Sequence, residues 1–252
     1  MKKEHIISEE FSKRTDLYED AKWVKDDTFL ETLVAFGDLG GDECALEIGI
    51  GSGAVAARMR EQTGVLIGVD VARPMLEKAH RYLPRHHLLC CKIEQLASLF
   101  LDETFDLVYC RAVLHHVDIP RNLAEIRSLI KPGGKLLIAE TVATTEEDEA
   151  FQLKFVESLH SGHTEFPTAE RLLAMIEKAG FEIQKHQIWL EERASLKNIL
   201  ASTAKSLQEK TEIITTFQEA SEQTKIWWNM HFEGDDILFD KKWAMILATR
   251  YR

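Results

Sequence analysis

From about residue 43 onward, short apolar runs alternate with segments of helical periodicity, and this alternation limits the fold more than any other feature. The runs are continuously apolar, which is typical of strands buried on both faces of a parallel sheet. Helices between such strands cover the two faces through right-handed crossovers. The predicted strands are Cys44–Ile48, Val65–Val69, His87–Cys91, Phe105–Tyr109 and Lys135–Glu140.

The segments between these strands are predicted to be helical. They are Ala54–Glu61, Arg73–Tyr82, a short turn near Glu94–Leu99, and Pro120–Leu129. Together with the strands, they indicate an α/β fold with a doubly wound sheet. In such sheets ligands bind in the crevice outside the carboxyl ends of the strands.

Both flanks of this core are rich in helical patterns, and one domain accommodates all 252 residues. Residues 1–40 are interpreted as a helical N-terminal lid, 41–145 as the cofactor-binding core, and 146–252 as cap helices with C-terminal strands. The last part is predicted to contain helices at Glu146–His160, Thr168–Ala179 and within 195–228, and strands at Phe181–Trp189 and Trp243–Thr249.

Composition excludes several classes of protein. The formal net charge of −11 disfavours broad nucleic-acid binding, since an acidic surface repels phosphates. The first residues are basic but no apolar run follows them, which argues against a signal peptide. The sequence contains no run of eighteen apolar residues, so no membrane-spanning helix is expected. The four cysteines lack C-x-x-C spacing, so neither a metal site nor a disulfide framework is expected. A cytoplasmic protein with free thiols is the prediction.

The glycine-rich segment Leu46–Gly53 carries the strongest local signal, because it joins a predicted strand to a helix. Glycines allow a sharp turn and close approach to a ligand. Glu47 is expected to point into the crevice, and Asp70, at the end of the second strand, can accept hydrogen bonds from ribose hydroxyls. The spacing Gly49-x-Gly51-x-x-Ala54 also fits a dinucleotide-binding loop, so a nicotinamide cofactor stays open at this point.

Further segments of the sequence resemble the motifs of one protein family. Glu47-x-Gly49-x-Gly51-x-Gly53 resembles motif I of class I S-adenosylmethionine-dependent methyltransferases. The likeness runs in order over about residues 40–190, and its other segments are Gly68–Leu76, Glu94–Leu96 with Thr104–Val108, His115–Val117 with Ile130–Leu136, and Ala179–Phe181. The pairs Cys110-Arg111 and His115-His116 look especially like the small-molecule branch around the ubiquinone/menaquinone C-methyltransferases.

The resemblance implies a seven-stranded, Rossmann-like sheet with an antiparallel last strand, and S-adenosyl-L-methionine as cofactor. Many relatives have Asp at the position of Lys92, which offers only donors and cannot accept a hydrogen bond from adenine. The residues expected at the cofactor are Glu47, Gly49, Ile50, Gly51, Gly53, Asp70, Val71, Met75, Ile93, Glu94, Arg111 and Tyr18.

The expected reaction is methyl transfer by in-line displacement to a small-molecule acceptor, which mainly requires alignment in a dry site. A general base helps where the acceptor is a hydroxyl or an acidic carbon, and His115, His116 and His163 are the candidates. Each could instead be a packing or capping residue. Two other functions remain: a nicotinamide-dependent oxidoreductase and a non-catalytic S-adenosylmethionine-binding protein. A homodimer is compatible with the sequence.

Overall fold

The computed structural model of the protein describes residues 24–159, 162, 164–201, 203 and 205–251. Most of the expected N-terminal lid, with Tyr18, therefore lies outside the described residues, and so does His163. The division into lid, core and cap stays a prediction. Within the described part of the chain, no helix is both long and apolar enough to cross a membrane.

One eight-stranded sheet organises the molecule. Its path is β3-β2-β1-β4-β5-β8-β6, with β7 paired to β8. Strands β1 to β5 pair in parallel, whereas β8 runs antiparallel to both β5 and β6. This arrangement confirms the predicted doubly wound fold with an antiparallel last strand. The strands are β1 Cys44–Ile48, β2 Val65–Asp70, β3 His87–Cys90, β4 Phe105–Arg111, β5 Ile130–Thr141, β6 Phe181–Ser195, β7 His231–Glu233 and β8 Asp236–Arg250.

Helices cover both faces of the sheet, and side-chain caps start several of them. Asp26, Asp118 and Thr168 each accept a hydrogen bond from the backbone N–H three residues later, which satisfies a donor that the helix leaves unpaired. The helices are α1 Asp27–Phe36, α2 Ala56–Met59, α3 Arg73–Tyr82, α4 Leu96–Leu99, α5 Ile119–Leu129, α6 Glu146–Leu159, α7 Ala169–Lys178, α8 Leu196–Ala201, α9 Leu207–Gln218 and α10 Glu222–Trp227.

Three apolar clusters hold these layers together. One lies between the sheet and α5 and α7, and includes Leu123 and Ile176. Another lies on the opposite face under α1 and α2, and includes Phe29 and Met59. The third lies among α6 and α8–α10, which pack around Phe217 and are called the cap below. Phe155, Phe217, Trp228 and Phe239 are buried in this cluster and pack against one another.

The C-terminal strands differ most from prediction. Strands β6 and β8 each extend to 15 residues, because they pair with one another beyond the sheet as a long hairpin that supports the cap. Strand β7 was not predicted. Strand β5 begins at Ile130 rather than Lys135, since Ile130 already pairs with Phe105 before the bulge. The sequence Pro132-Gly133-Gly134 is typical of a turn. The earlier start of β5 is therefore evident only from its pairing with β4.

Candidate functional site

Three glycines turn the chain sharply between β1 and α2. Gly49, Gly51 and Gly53 have φ values of +68°, +54° and +87°, a region that favours glycine. A Cβ placed on Gly49 would lie 2.4 Å from Cγ2 of Val113. Only glycine therefore lets this loop pass so close to the chain that follows β4.

Asp70, at the carboxyl end of β2, ties the loop to the second crossover. Its Oδ2 accepts a 2.9 Å hydrogen bond from the N–H of Gly51, and its Oδ1 accepts one of 2.8 Å from Ala72. Burial raises the pKa of Asp70 above its ordinary value, and the backbone hydrogen bonds oppose that rise. The predicted ribose acid thus has both oxygens fixed by the main chain.

The carboxyl ends of β1 to β4 border a cleft of about 880 Å³, including its open mouth. The cleft runs from the turn after β3, across the ends of β2 and β1, to the turn after β4. Of the predicted site residues it gathers Gly49, Gly51, Asp70, Val71, Met75, Ile93, Glu94, Arg111 and His116.

Glu47 lies beneath the cleft and does not point into it, which corrects the sequence expectation. Its side chain is 2% exposed and accepts a 2.9 Å hydrogen bond from the hydroxyl of Tyr109. Burial raises the pKa of Glu47 to about 8, against the lowering effects of Tyr109 and the nearby Arg111. The backbone N–H of Ala56 also donates to this carboxylate. Glu47 therefore links β1, β4 and α2 below the loop.

Ile50 and Gly53 support the loop from behind, and neither is on the cleft wall. Ile50 is 3% exposed, and its Cδ1 fills the space beside Gly68, 2.2 Å from where a Cβ would stand. Gly53 packs against the end of α3, where an added Cβ would lie 3.4 Å from Ala79 and 3.2 Å from Leu83, the residue after the helix. Both residues shape the loop through packing.

The turn after β3 forms the other end of the cleft. Ile93 is buried at 8% exposure and presents an apolar wall together with Met75. Lys92 lines the cleft as well, and its backbone N–H donates a 2.9 Å hydrogen bond to Gln95. The family's hydrogen-bond acceptor is therefore replaced by a lysine that does face the same cleft.

Arg111, at the carboxyl end of β4, is stacked on aromatic rings. Its guanidinium carbon lies 4.4 Å from the ring centre of Phe29 and 5.4 Å from that of Trp243. Phe29 belongs to α1 and packs edge-on against Trp243. Because a planar guanidinium stacks well on aromatic faces, these rings fix the direction of the side chain.

The two adjacent histidines occupy different positions. His116 lines the cleft, with its Nδ1 3.4 Å from the carbonyl oxygen of Gly162. His115 is buried behind it at 7% exposure and is not on the cleft wall. The ring of His115 stacks on Phe166 at 4.9 Å and contacts the ring of His116 at 4.1 Å between centroids.

Sequence reasoning missed Glu140, at the carboxyl end of β5. This fully buried carboxylate accepts hydrogen bonds from Nδ1 of His115 at 2.6 Å and from the backbone N–H groups of Leu114 and Val113 at 2.7 and 3.0 Å. Thr141 donates a fourth, at 3.0 Å. The signal was a glutamate ending an apolar strand at the edge where Asp70 also lies. Among the described residues, no group of three or more His, Cys, Asp or Glu is arranged to hold a metal ion.

Comparison with known proteins identifies the domain in which this cleft lies. Residues 46–138, which span β1 to β5, match the model of a methyltransferase domain. Residues 46–138 thus form a methyltransferase domain. The match supports the resemblance to class I S-adenosylmethionine-dependent methyltransferases that the sequence motifs show.

Individual relatives agree with the domain assignment. An uncharacterized methyltransferase of Bacillus subtilis, YcgJ, is 27% identical over 137 residues, 53% of this chain and 54% of that protein. A 2-phytyl-1,4-naphtoquinone methyltransferase of Trichormus variabilis is 31% identical, over 52% of this chain and 59% of its own. The chain thus spans a little over half the length of these curated relatives. Neither the oxidoreductase nor the non-catalytic alternative gains support from them.

Solved structures share the fold across most of the chain. The crystal structure of YcgJ superposes with a TM-score of 0.78 at 19% identity, covering 88% of this chain and 98% of that one. A phosphoethanolamine N-methyltransferase 2 of Haemonchus contortus, solved with phosphomonomethylethanolamine and S-adenosylhomocysteine, gives a TM-score of 0.60 at 19% identity over 94% of this chain and 57% of its own. At such identities the likeness shows the fold alone.

Proposed function

We propose that the protein transfers the methyl group of S-adenosylmethionine to a small-molecule acceptor. The observation that carries the proposal is the cleft itself, where the glycine loop and Asp70 meet within a methyltransferase domain. When bound, S-adenosylmethionine supplies a methyl group that its sulfonium already activates. The work of this chain is then to orient the reactants, to exclude water and to manage protons.

The residues of the cleft fit such a cofactor. The backbone at Gly49 and Gly51 has no Cβ in the way of a close ligand, and the carboxylate of Asp70 would accept from the ribose hydroxyls. Ile93 and Met75 would hold the adenine by apolar contact, with Glu94 and Val71 beside them. The stacked Arg111 would face the methionine carboxylate.

Glu47, Ile50 and Gly53 would act on the cofactor only through the loop that they support. Tyr18 belongs to the proposed N-terminal lid outside the described residues, and we retain it there as a candidate contact.

His116 is our candidate for a proton acceptor, because it alone of the three predicted histidines lies on the cleft wall among the described residues. A histidine suits this task near neutral pH when the acceptor is a hydroxyl or an acidic carbon. His115 would support His116 from behind. His163 lies outside the described residues and stays a candidate on sequence grounds.

We place the acceptor among small molecules, in line with the quinone C-methyltransferase branch and with the relative named for phytyl-naphthoquinone methylation. The wall after β4 is apolar apart from His116 and Arg111, which suits an acceptor with an apolar body. A cytoplasmic location, a homodimer and the absence of a nucleic-acid partner complete the proposal. The negative charge of the chain favours the last point.

Calorimetric titration tests the cofactor. S-adenosylmethionine, S-adenosylhomocysteine and NADH are each titrated into the protein and into its Asp70→Ala variant. We expect the first two to bind and Asp70→Ala to weaken them by about tenfold or more, since hydrogen bonds to a charged group contribute roughly 1.5–3 kcal/mol. Binding of NADH alone would overturn the proposal in favour of an oxidoreductase.

Transfer of a radiolabelled methyl group tests the acceptor. The panel holds demethylated quinols and phosphoethanolamine, and also tRNA because one relative is a tRNA U34 carboxymethyltransferase. Turnover on a small molecule that falls in His116→Gln, with S-adenosylhomocysteine binding retained, supports the proposal. Turnover on tRNA alone would refute the acceptor class. Cofactor binding without transfer to any acceptor would favour the non-catalytic alternative.

A further inference from the structure

Ala112, the first residue after β4, has a left-handed backbone. Its φ is +55°, a conformation that costs an L-residue free energy because Cβ crowds the carbonyl oxygen. The residue lies on the cleft wall between Arg111 and Val113. Strain of this kind persists where surrounding contacts over-determine the backbone, and it is common at ligand sites.

Glu140 supplies those contacts from the end of the adjacent strand. Its Oε2 accepts from two successive backbone N–H groups, those of Val113 and Leu114, directly after the strained residue. The N–H of Ala112 itself donates to the carbonyl oxygen of Ala139 at 2.9 Å. The chain is thus held on both sides of Ala112 by residues of β5.

The other oxygen of the same carboxylate fixes a histidine ring. Oε1 accepts from Nδ1 of His115 at 2.6 Å and from the N–H of Thr141. Because three backbone N–H groups already donate to this carboxylate, we assign the proton of the contact to Nδ1 of His115. The ring so oriented stacks on Phe166 and touches the ring of His116 in the cleft.

We propose that Glu140 is a positioning residue for this site: its carboxylate holds Ala112 in the left-handed conformation and holds His115 against the cleft residue His116. The inference rests on the proposed function, because it concerns the wall that would face the reacting groups. It concerns orientation alone, so Glu140 need not touch any ligand. The hydrogen bonds of Thr164 to the carbonyl oxygens of His115 and Val117 fasten the end of the turn independently.

The test uses Glu140→Gln, which keeps the size of the side chain but replaces one acceptor oxygen by a donor. Asp148→Asn is the matched control, since Asp148 is also buried and accepts from a backbone N–H, but it lies in the cap and off the cleft wall. The readouts are S-adenosylhomocysteine affinity, unfolding temperature, and the ring ¹⁵N signals of His115, assigned by their loss in His115→Gln.

We expect Glu140→Gln to change the His115 signals to another tautomer and to weaken S-adenosylhomocysteine binding by about tenfold, because the turn loses the contacts that hold Ala112 in its strained conformation. Adding Ala112→Gly should recover most of the lost affinity, because glycine takes a left-handed conformation without help. It should recover only part of the lost unfolding temperature, since the buried donors stay unsatisfied. It should leave the His115 signals altered. Asp148→Asn should lower the unfolding temperature with affinity and ring signals unchanged.

The outcomes separate this inference from the proposed function. The positioning role is overturned if Glu140→Gln keeps the parent's affinity and His115 signals. It is also overturned if adding Ala112→Gly fails to restore the affinity that Glu140→Gln has lost. Should Glu140→Gln not fold, the double variant carries the test: its folding supports the role and its failure to fold refutes it. If the parent binds no S-adenosylhomocysteine, the proposed function fails, whereas the ring signals and the rescue of unfolding temperature still decide the role of Glu140.

Discussion

The hydroxyl of Tyr109 donates a 2.9 Å hydrogen bond to Oε2 of Glu47, and both side chains are buried under the glycine loop. Burial raises the pKa of Glu47 to about 8, and the hydrogen bond from Tyr109 only partly opposes that rise. Near neutral pH, Glu47 therefore holds a proton in the folded protein. A residue that the family motif would assign to the ligand is here also a determinant of stability.

The first prediction concerns the pH dependence of stability. In the unfolded chain Glu47 titrates near its ordinary value of 4.5, and in the folded protein near about 8. Between these values the folded protein binds a proton that the unfolded chain has released, so the free energy of unfolding falls as pH rises. At about 1.4 kcal/mol per unit, Glu47 contributes a loss of at most about 5 kcal/mol between pH 4.5 and 8.5.

Glu47→Gln removes this titration while keeping the acceptor for Tyr109. Urea unfolding across that pH range should show a flatter profile for the variant than for the parent. The exposed Glu31→Gln should leave the parent profile unchanged. Parallel profiles for Glu47→Gln and the parent would contradict the raised pKa.

The second prediction concerns the approach of the loop to the turn after β4. Gly49→Ala would place a Cβ 2.4 Å from Val113 and at a positive φ. Gly133→Ala is the matched control, because its φ is +80° but nothing lies within 4 Å of the added Cβ. Strain alone should cost the control roughly 1–2 kcal/mol.

The clash should cost Gly49→Ala about 1–3 kcal/mol more than the control, as overpacking typically does. Urea midpoints at equal slope measure the difference, and S-adenosylhomocysteine affinity should fall for Gly49→Ala alone. Equal losses of stability in the two variants would show that the contact with Val113 relaxes without cost.

The central part of the fold was predictable because local patterns determine it. Strand β1 and helix α3 have the predicted bounds, since continuous apolar runs and helical periodicity need no distant partner to be recognised. The hairpin of β6 and β8 was underestimated, because strand length there depends on pairing between residues about 50 positions apart. Short β7 has no pattern of its own.

The site likewise contains residues whose positions could be predicted from the sequence and residues whose positions could not. The family motif predicted the positions of the glycine loop and of Asp70, which both line the cleft. It could not show which way the carboxylate of Glu47 turns, because Tyr109 lies 62 residues away and supplies the decisive contact. Glu140 was missed for a similar reason, since its partners belong to another strand's turn. Motifs fix the backbone near a ligand, whereas the burial of polar side chains depends on tertiary neighbours.

The third prediction concerns the stacking of Arg111. Arg111→Lys keeps the positive charge but loses the planar group that lies over Phe29 and Trp243. The free energy of unfolding should fall by about 0.5–2 kcal/mol, the range for a desolvated cation–π contact. S-adenosylmethionine affinity should fall as well, because a flexible ammonium is less firmly directed at a carboxylate. Unchanged stability would show that the aromatic rings do not hold this side chain.

The last prediction concerns how the helices of the cap are held together. Asp148, 2% exposed at the start of α6, accepts hydrogen bonds from the indole N–H of Trp228 and from the backbone N–H of Thr144. A double-mutant cycle with Asp148→Asn and Trp228→Phe should give a coupling energy of about 1–3 kcal/mol, because the two groups share a buried bond to a charged acceptor.

Neither Asp148 nor Trp228 lies on the wall of the cleft, so S-adenosylhomocysteine should bind each folded variant as tightly as the parent. The cap would then lose stability while the cofactor site remains intact, and any loss of transfer to an acceptor would assign the cap to acceptor binding. A fall in cofactor affinity that parallels the loss of stability would instead show that cap and core respond as one cooperative unit.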